Sequence, residues 1–218
     1  SRGLGDVYKR QIRMRMHGPE VVEKIYTYNQ GTVLGASLEV ALALRDDAGL
    51  DHDEPIDSFA NSERADASVF YITHIRAIVQ AIALHLATPQ GVIISPKYES
   101  GDGDGGLFKG ILARYLAEVA VRLPRDSREN IATRKIAARL VRASAESLWQ
   151  HRLEVDGLPV FAAEWTEDAL LPHNYGFGPA SISEAVGLVR IDERDLSVQL
   201  SGWMLLEAAA RISRATGL

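Results

Sequence analysis

Apolar side chains recur at helical spacing along most of this chain, and this periodicity restricts the fold more than any other feature. Similar patterns predict helices over 32–44, 62–87, 127–152 and 197–214, with Ser197 as an N-cap and loops at 45–61, 101–106 and 159–179. No repeated strand pattern is present in the sequence, so we expect one all-α domain with five helices. The remaining predicted helix lies between 101–106 and 127–152 and has the clearest apolar face. That face is formed by Phe108, Ile111, Leu112, Tyr115, Leu116 and Val119.

Composition excludes several classes of protein. With 24 basic and 29 acidic residues among 218, the net charge of −5 argues against a nucleic-acid-binding protein. The absence of cysteine excludes disulfides, thiolate metal sites and a cysteine nucleophile. The six histidines lack the spacing of a zinc site, and we expect neither a metal nor a cofactor. No apolar run reaches the roughly 18 residues that span a bilayer, so we expect no transmembrane segment.

Two acidic motifs invite functional interpretations that the residues support poorly. The run Gly101-Asp-Gly-Asp-Gly-Gly106 matches a dinucleotide-binding pattern, but its aspartates would repel a pyrophosphate and no strand-helix alternation surrounds it. A calcium site would need further ligands that this segment does not provide. We therefore favour a turn that enters the next helix, or one that carries polar groups to a cleft. The adjacent Asp46 and Asp47 lie in a polar predicted loop with nothing apolar to raise a pKa, and we expect them to be solvated.

The segment Tyr26-Thr-Tyr-Asn-Gln-Gly31 combines two aromatic rings, two amides and a glycine directly before an apolar helix. Aromatic faces stack on the C–H surfaces of sugars, and amides pair with sugar hydroxyls. The same residues could equally form a capping turn with buried, hydrogen-bonded amides. The side chains alone leave both interpretations open.

The first residues do not resemble the start of a domain. Asp6-Val-Tyr-Lys-Arg-Gln11 resembles the translated end of a transposon adapter used in sequencing libraries. We therefore interpret 1–11 as a leader that is not native. Residues 12–218 are then expected to be one incomplete domain, the carboxy-terminal part of a longer protein.

Three blocks of sequence together resemble glycoside hydrolase family 76, the α-1,6-mannanases and related wall transglycosidases. They are residues 26–35 (YTYNQGTVLG), 103–116 (GDGGLFKGILARYL) and 200–210 (LSGWMLLEAAA), in the family's order and rough spacing. The resemblance implies an (α/α)6 toroid of twelve helices, of which this chain would form roughly the carboxy-terminal half. It also implies α-mannan or mannooligosaccharides as substrate, a monomer when complete, and a secreted or cell-envelope location.

The resemblance further implies retaining hydrolysis of α-1,6-mannosidic bonds by two adjacent aspartates. In the family that pair lies upstream of the Tyr-Asn-Gln-Gly motif, so its roles do not transfer to Asp46 and Asp47, and we expect this chain to be inactive alone. Trp165 and Tyr175 are expected to edge a cleft. A non-catalytic carbohydrate-binding or structural helical module is the alternative function. The residues that the resemblance carries over as substrate-binding are Tyr28, Asn29, Gln30, Asp104, Phe108 and Lys109.

Overall fold

Helices make up most of the described chain. The computed structural model describes residues 11–15, 18–22, 25–47, 59–96, 99, 103–170 and 195–216. Within these ranges the predicted all-α fold with five helices is confirmed. The helices are α1 (Thr27–Asp47), α2 (Phe59–His85), α3 (Phe108–Arg122), α4 (Arg128–Gln150) and α5 (Leu196–Thr216), and a 3₁₀-helix (Gly103–Leu107) precedes α3.

Two short β-hairpins accompany the helices and were not expected from the sequence. Strand β1 (Gln11–Arg15) pairs antiparallel with β2 (Gly18–Val22), and β3 (Leu153–Val155) pairs antiparallel with β4 (Leu158–Val160). Strands of three residues are too short to show an alternating pattern. The available signal was Asp156-Gly157, a favoured dipeptide for a two-residue hairpin turn, and both residues have the positive φ that this turn requires.

The ends of the helices follow local hydrogen bonds. The start of α4 agrees with the predicted helix over 127–152, and Ser127 caps it, because its side chain accepts a hydrogen bond from the Asn130 N–H at 3.1 Å. The predicted cap of α5 at Ser197 is wrong, since Asp195 Oδ1 instead accepts a hydrogen bond from the Ser197 N–H at 2.8 Å. Residues 45–47 were expected in a loop and instead form the last turn of α1.

Helices α1, α3 and α5 lie side by side and run in the same direction. A Cβ on Gly31 would lie 2.9 Å from the Leu112 Cα, and a Cβ on Gly110 would lie 2.7 Å from the Ser201 Cα, so these helix backbones approach closely. Near their other ends, Arg211 Nη2 of α5 lies 2.8 Å from Glu118 Oε2 of α3. This parallel packing brings the amino termini of all three helices to one end of the molecule.

Helices α2 and α4 form a second layer behind the first. Helix α2 packs on α1 and on α4, and α4 packs on α3 and α5. The early part of α2 meets the later part of α1, where Ser68 Oγ donates to the Ala41 carbonyl at 3.0 Å. Helices that alternate between two layers form an arc of the predicted (α/α) toroid. The core lies between the layers and includes Leu34, Leu38, Ile75, Ile78, Ile82, Leu112, Leu116 and Leu148, all nearly inaccessible to solvent.

One helix is more apolar than the sequence analysis expected. By length and composition alone, Ser62–His85 could cross a membrane, contrary to the expectation that no segment could, and its mean hydropathy is 1.5. In the structure the isoleucines at 72, 75, 78 and 82 of this helix are buried in the core. Arg76 Nε also donates to Asn130 Oδ1 of α4 at 2.8 Å. Packing between the layers thus accounts for these isoleucines, whereas Val69, Phe70 and Leu84 of the same helix are exposed.

Candidate functional site

Three aromatic rings meet where α1 and α3 begin. The ring centroids of Tyr28 and Phe108 are 4.4 Å apart, and Tyr26 lies 6.0 Å from each of them. All three residues are half-buried, so each ring packs on its neighbours and still reaches solvent. The parallel packing of α1 on α3 creates this aromatic cluster, because it aligns the first turns of two helices that begin 81 residues apart in sequence. Phe108, which the resemblance carries over as substrate-binding, is therefore neither fully buried nor fully exposed.

The two predicted amides lie in the first turn of α1 rather than before it. Gln30 is 6% exposed, whereas Asn29 is half-buried. The Asn29 carbonyl accepts a hydrogen bond from Thr32 Oγ1 at 3.1 Å. These amides therefore stand beside the aromatic cluster at the same end of the molecule.

A residue distant in sequence caps α1. Glu99 Oε2 accepts a hydrogen bond from Thr27 Oγ1 at 2.8 Å, and Glu99 Oε1 accepts one from the Thr27 N–H. A carboxylate at this position satisfies free backbone N–H groups and meets the positive end of the helix dipole. Glu99 therefore supplies a cap for the first residue of α1. Sequence reasoning missed Glu99, since no local pattern joins positions 72 residues apart.

Burial changes the acidity of Glu99. The side chain belongs to a residue that is 3% exposed, and this burial raises the pKa of Glu99 to about 7. The hydrogen bonds from Thr27 and the positive charge of Lys109 act in the opposite direction but do not cancel it. The carboxyl of Glu99 therefore changes charge near neutral pH.

Lys109 is directed into the protein. It is 2% exposed, and its Nζ donates to the Ala163 carbonyl at 2.7 Å and to Glu164 Oε2 at 3.1 Å. The same nitrogen lies 4.9 Å from the centroid of the Trp165 ring. Burial lowers the pKa of Lys109, and the charge of Glu164 partly offsets that change. Trp165 was expected to edge a cleft, but it is 1% exposed and packs in the core; Tyr175 lies outside the described residues.

Asp104 is exposed in the 3₁₀-helix that leads into α3. It thus lies at the same end of the molecule as the aromatic cluster. Within the described part of this loop, a Cβ on Gly106 would lie 2.4 Å from Ser197 Oγ and 3.1 Å from the Val198 backbone nitrogen. Gly106 therefore serves close packing of the 3₁₀-helix on α5; residues 101 and 102 lie outside the described residues.

The adjacent aspartates lie far from this site. Asp46 and Asp47 are exposed in the last turn of α1. At 1.5 Å per residue they are about 27 Å along the helix from Tyr28. In the described part of the chain, no group of three His, Asp or Glu side chains could hold a metal ion.

Comparison with solved structures identifies the fold. The chain matches the GH76A α-1,6-mannanase of Salegentibacter sp. HEL1_6 with a TM-score of 0.58 and 25% sequence identity, over 92% of this chain and 44% of that one. It matches equally two inactive variants of that enzyme, in which two adjacent aspartates are replaced, in complex with α-1,6-mannotriose and α-1,6-mannotetrose.

The chain spans less than half the length of that mannanase. No protein-family model matches the chain, and no curated protein matches its sequence at a significant level. The structural match nevertheless covers nearly all of this chain, and it agrees with the three sequence blocks that suggested the family. The resemblance to glycoside hydrolase family 76 is thereby confirmed: this chain has the helical toroid fold of the family's α-1,6-mannanases over the part that it spans.

Proposed function

We propose that this chain supplies part of a cleft that binds α-1,6-linked mannan, in a retaining glycoside hydrolase whose catalytic aspartates lie outside it. The observation that carries the proposal is the aromatic cluster of Tyr26, Tyr28 and Phe108, with Asn29 beside it. It stands at the amino termini of α1 and α3. Flat apolar faces next to an amide match a sugar, which presents C–H surfaces and hydroxyl groups together.

The mannanase that this chain resembles supports α-1,6-linked mannan as the substrate. Its inactive variants are in complex with α-1,6-mannotriose and α-1,6-mannotetrose, and their inactivity follows replacement of two adjacent aspartates. In this sequence the adjacent aspartates are Asp46 and Asp47. They lie about 27 Å along α1 from Tyr28, whereas the two carboxyl groups of a retaining mechanism must flank the scissile bond of the bound sugar. We therefore assign hydrolysis to a pair that this chain does not carry.

The roles of the site residues follow from their exposure. Tyr28 and Phe108 offer ring faces for stacking, and Asn29 and Asp104 offer polar groups at accessible positions. Gln30 is nearly buried, so its role is to support the first turn of α1. The ammonium of Lys109 already donates hydrogen bonds to Ala163 and Glu164. Its contribution is therefore to fix the first turn of α3, which carries Phe108.

Calorimetric titration of the full chain with α-1,6-mannotriose tests the proposal. We expect saturable binding that Asn29→Ala weakens by up to about tenfold, the worth of one neutral hydrogen bond. Tyr28→Ala should weaken binding further through loss of stacking. Val40→Ala is the matched control, because Val40 is exposed on the same helix and lies about 18 Å along it from Tyr28. Circular dichroism establishes that each variant is folded.

Two results would contradict the proposal. The first is absence of mannotriose binding by a folded chain, which would favour a structural helical module. The second is release of mannose by the purified chain, abolished by substitutions within it, which would show that the catalytic groups are present here.

A further inference from the structure

A basic groove lies away from the aromatic cluster, between α4 and the carboxy-terminal ends of α3 and α5. Its volume is about 450 Å³, within the range of small-molecule sites. Ala120 near the end of α3 contributes to its lining, and α3 is about 20 Å long from Phe108 onwards. The groove is therefore separate from the proposed mannan site.

The rim of this groove is cationic. Although the chain as a whole has a net charge of −5, the lining includes Arg125, Arg134, Lys135, Arg139 and Arg142. Four of these five residues project from one side of α4. The neighbouring acids Asp126 and Glu129 do not line the groove, and Asp126 pairs with Arg45 at 2.9 Å.

The protein orients these cations without neutralising them. Arg139 Nη2 donates to the Pro89 carbonyl at 3.0 Å, Arg142 Nη2 donates to Thr216 Oγ1 at 2.8 Å, and Arg134 Nη1 donates to the Leu123 carbonyl. All three acceptors are uncharged. Among the described residues, none of the five cations forms an ion pair with a carboxylate. Burial lowers the pKa of Arg134, and the nearby charge of Arg125 lowers it further, as expected where positive charges gather without a counterion.

The floor of the groove is apolar. Ala120 and Ile212 are buried beneath it, and Ala138 lines it from α4. Planar guanidinium groups form paired hydrogen bonds with phosphate oxygens, and a monoester carries nearly two negative charges at neutral pH. An apolar helix seated here would leave five cations without a counter-charge, which makes a purely apolar occupant unfavourable.

We propose that this groove binds a phosphate monoester whose organic group is small and apolar. The phosphate lies among the guanidinium and ammonium groups of the rim, and the organic group covers the alanines and Ile212. The phosphate can belong to a soluble ester or to a lipid headgroup, since both present the same group to the rim.

Two probes separate these sources. Calorimetric titration with hexyl phosphate, with hexanol as the uncharged control, tests a soluble ester. Co-sedimentation with phosphatidylcholine vesicles, with and without phosphatidic acid, tests a headgroup. We expect binding of at least one phosphate-bearing probe and none of hexanol or of vesicles that lack phosphatidic acid.

Charge reversal locates the site. Arg125→Glu with Lys135→Glu should reduce affinity on the order of a hundredfold, because two charge-assisted contacts are lost. Both side chains are exposed and neither donates one of the hydrogen bonds described above, so the fold should persist. The milder pair Arg125→Gln and Lys135→Gln serves if the reversed variant does not fold. Arg114→Glu, an exposed position of α3 outside the groove, is the matched control and should bind normally.

The outcomes are decisive in both directions. Binding that is lost in the groove variant and kept in Arg114→Glu supports the proposal, for whichever probe shows it. Absence of binding to both probes would overturn it, as would binding that survives in the folded groove variant. Neither result bears on mannotriose binding, because the groove and the aromatic cluster share no residue.

Discussion

Lys109 and Glu164 form an ion pair of 3.1 Å that links the first turn of α3 to the segment after β4, and the side chain of Lys109 is only 3% exposed. The Glu164 side chain is 32% exposed, so the pair lies at the boundary between protein and solvent. The Lys109 ammonium also contacts the Ala163 carbonyl and the Trp165 ring. A charge buried in this way depends on its partner more than a surface charge does.

A double-mutant cycle should measure that dependence. We expect a coupling of about 1–3 kcal/mol between Lys109→Met and Glu164→Gln in the free energy of unfolding, measured by urea denaturation. The pair Glu39–Arg122 is the comparison, since its carboxylate is 62% and its guanidinium 35% exposed, against 32% for Glu164 and 3% for Lys109; its coupling should be about 1 kcal/mol or less. Equal coupling in the two cycles would mean that burial does not strengthen the Lys109 pair.

The acidity of Glu99 predicts how stability depends on pH. Because its pKa in the folded protein is raised to about 7, folding favours the protonated carboxyl. The stability from this group is fully present below the ordinary pKa of glutamate. It is lost as pH rises through about 7, with a slope of at most about 1.4 kcal/mol per pH unit.

Glu99→Gln isolates that contribution. The pKa of His74 is lowered by burial and gives the opposite slope, but it is common to both proteins and cancels in the comparison. Relative to the parent, Glu99→Gln should gain stability between pH 5 and pH 8, as followed by urea denaturation across that range. Parallel pH profiles for the two proteins would show that Glu99 does not titrate in this window.

The close approach of α1, α3 and α5 predicts an unusual effect of alanine. In an exposed helix, Gly→Ala stabilises by about 1 kcal/mol. At Gly31 and Gly110 the added Cβ would meet the backbone of a neighbouring helix within 3 Å, so each substitution should instead destabilise by about 1–3 kcal/mol. Thermal unfolding measures this, and stabilisation at either position would contradict the close approach of the helix backbones.

The cap of α5 predicts different losses of stability for two substitutions of Asp195. Asp195→Ala should cost about 1 kcal/mol, because the side chain that accepts the Ser197 N–H is removed, while Asp195→Asn should retain most of the cap. The pKa of Asp195 is lowered by that hydrogen bond, so the contribution disappears as the solution is acidified. Urea denaturation at neutral and acidic pH tests both statements. A larger loss in Asp195→Asn than in Asp195→Ala would exclude the capping role.

Much of the fold was predictable because helix formation leaves a local record. The apolar face of α3 and the serine cap of α4 both depend on residues within four positions of one another. The start of α1 was placed too late, since its first turn carries polar residues and aromatics whose environment is set by α3. The cap of α5 was misplaced by two residues because aspartate and serine serve equally well at that position.

The candidate site was likewise predictable in part from the sequence, and the rest of it depends on the tertiary structure. The residue types around Tyr28 fitted either sugar recognition or a capping turn, and the three motif blocks already indicated the family. That Tyr28 stacks near Phe108 follows only from the parallel packing of α1 on α3. The burial of Lys109 against Glu164 and of Glu99 against Thr27 likewise joins residues more than 50 positions apart. Periodicity was readable from the sequence because it depends on near neighbours along the chain. The contacts that shape the site, and the groove that the cations of α4 form with the ends of α3 and α5, depend on which helix faces which, and only the tertiary structure decided that.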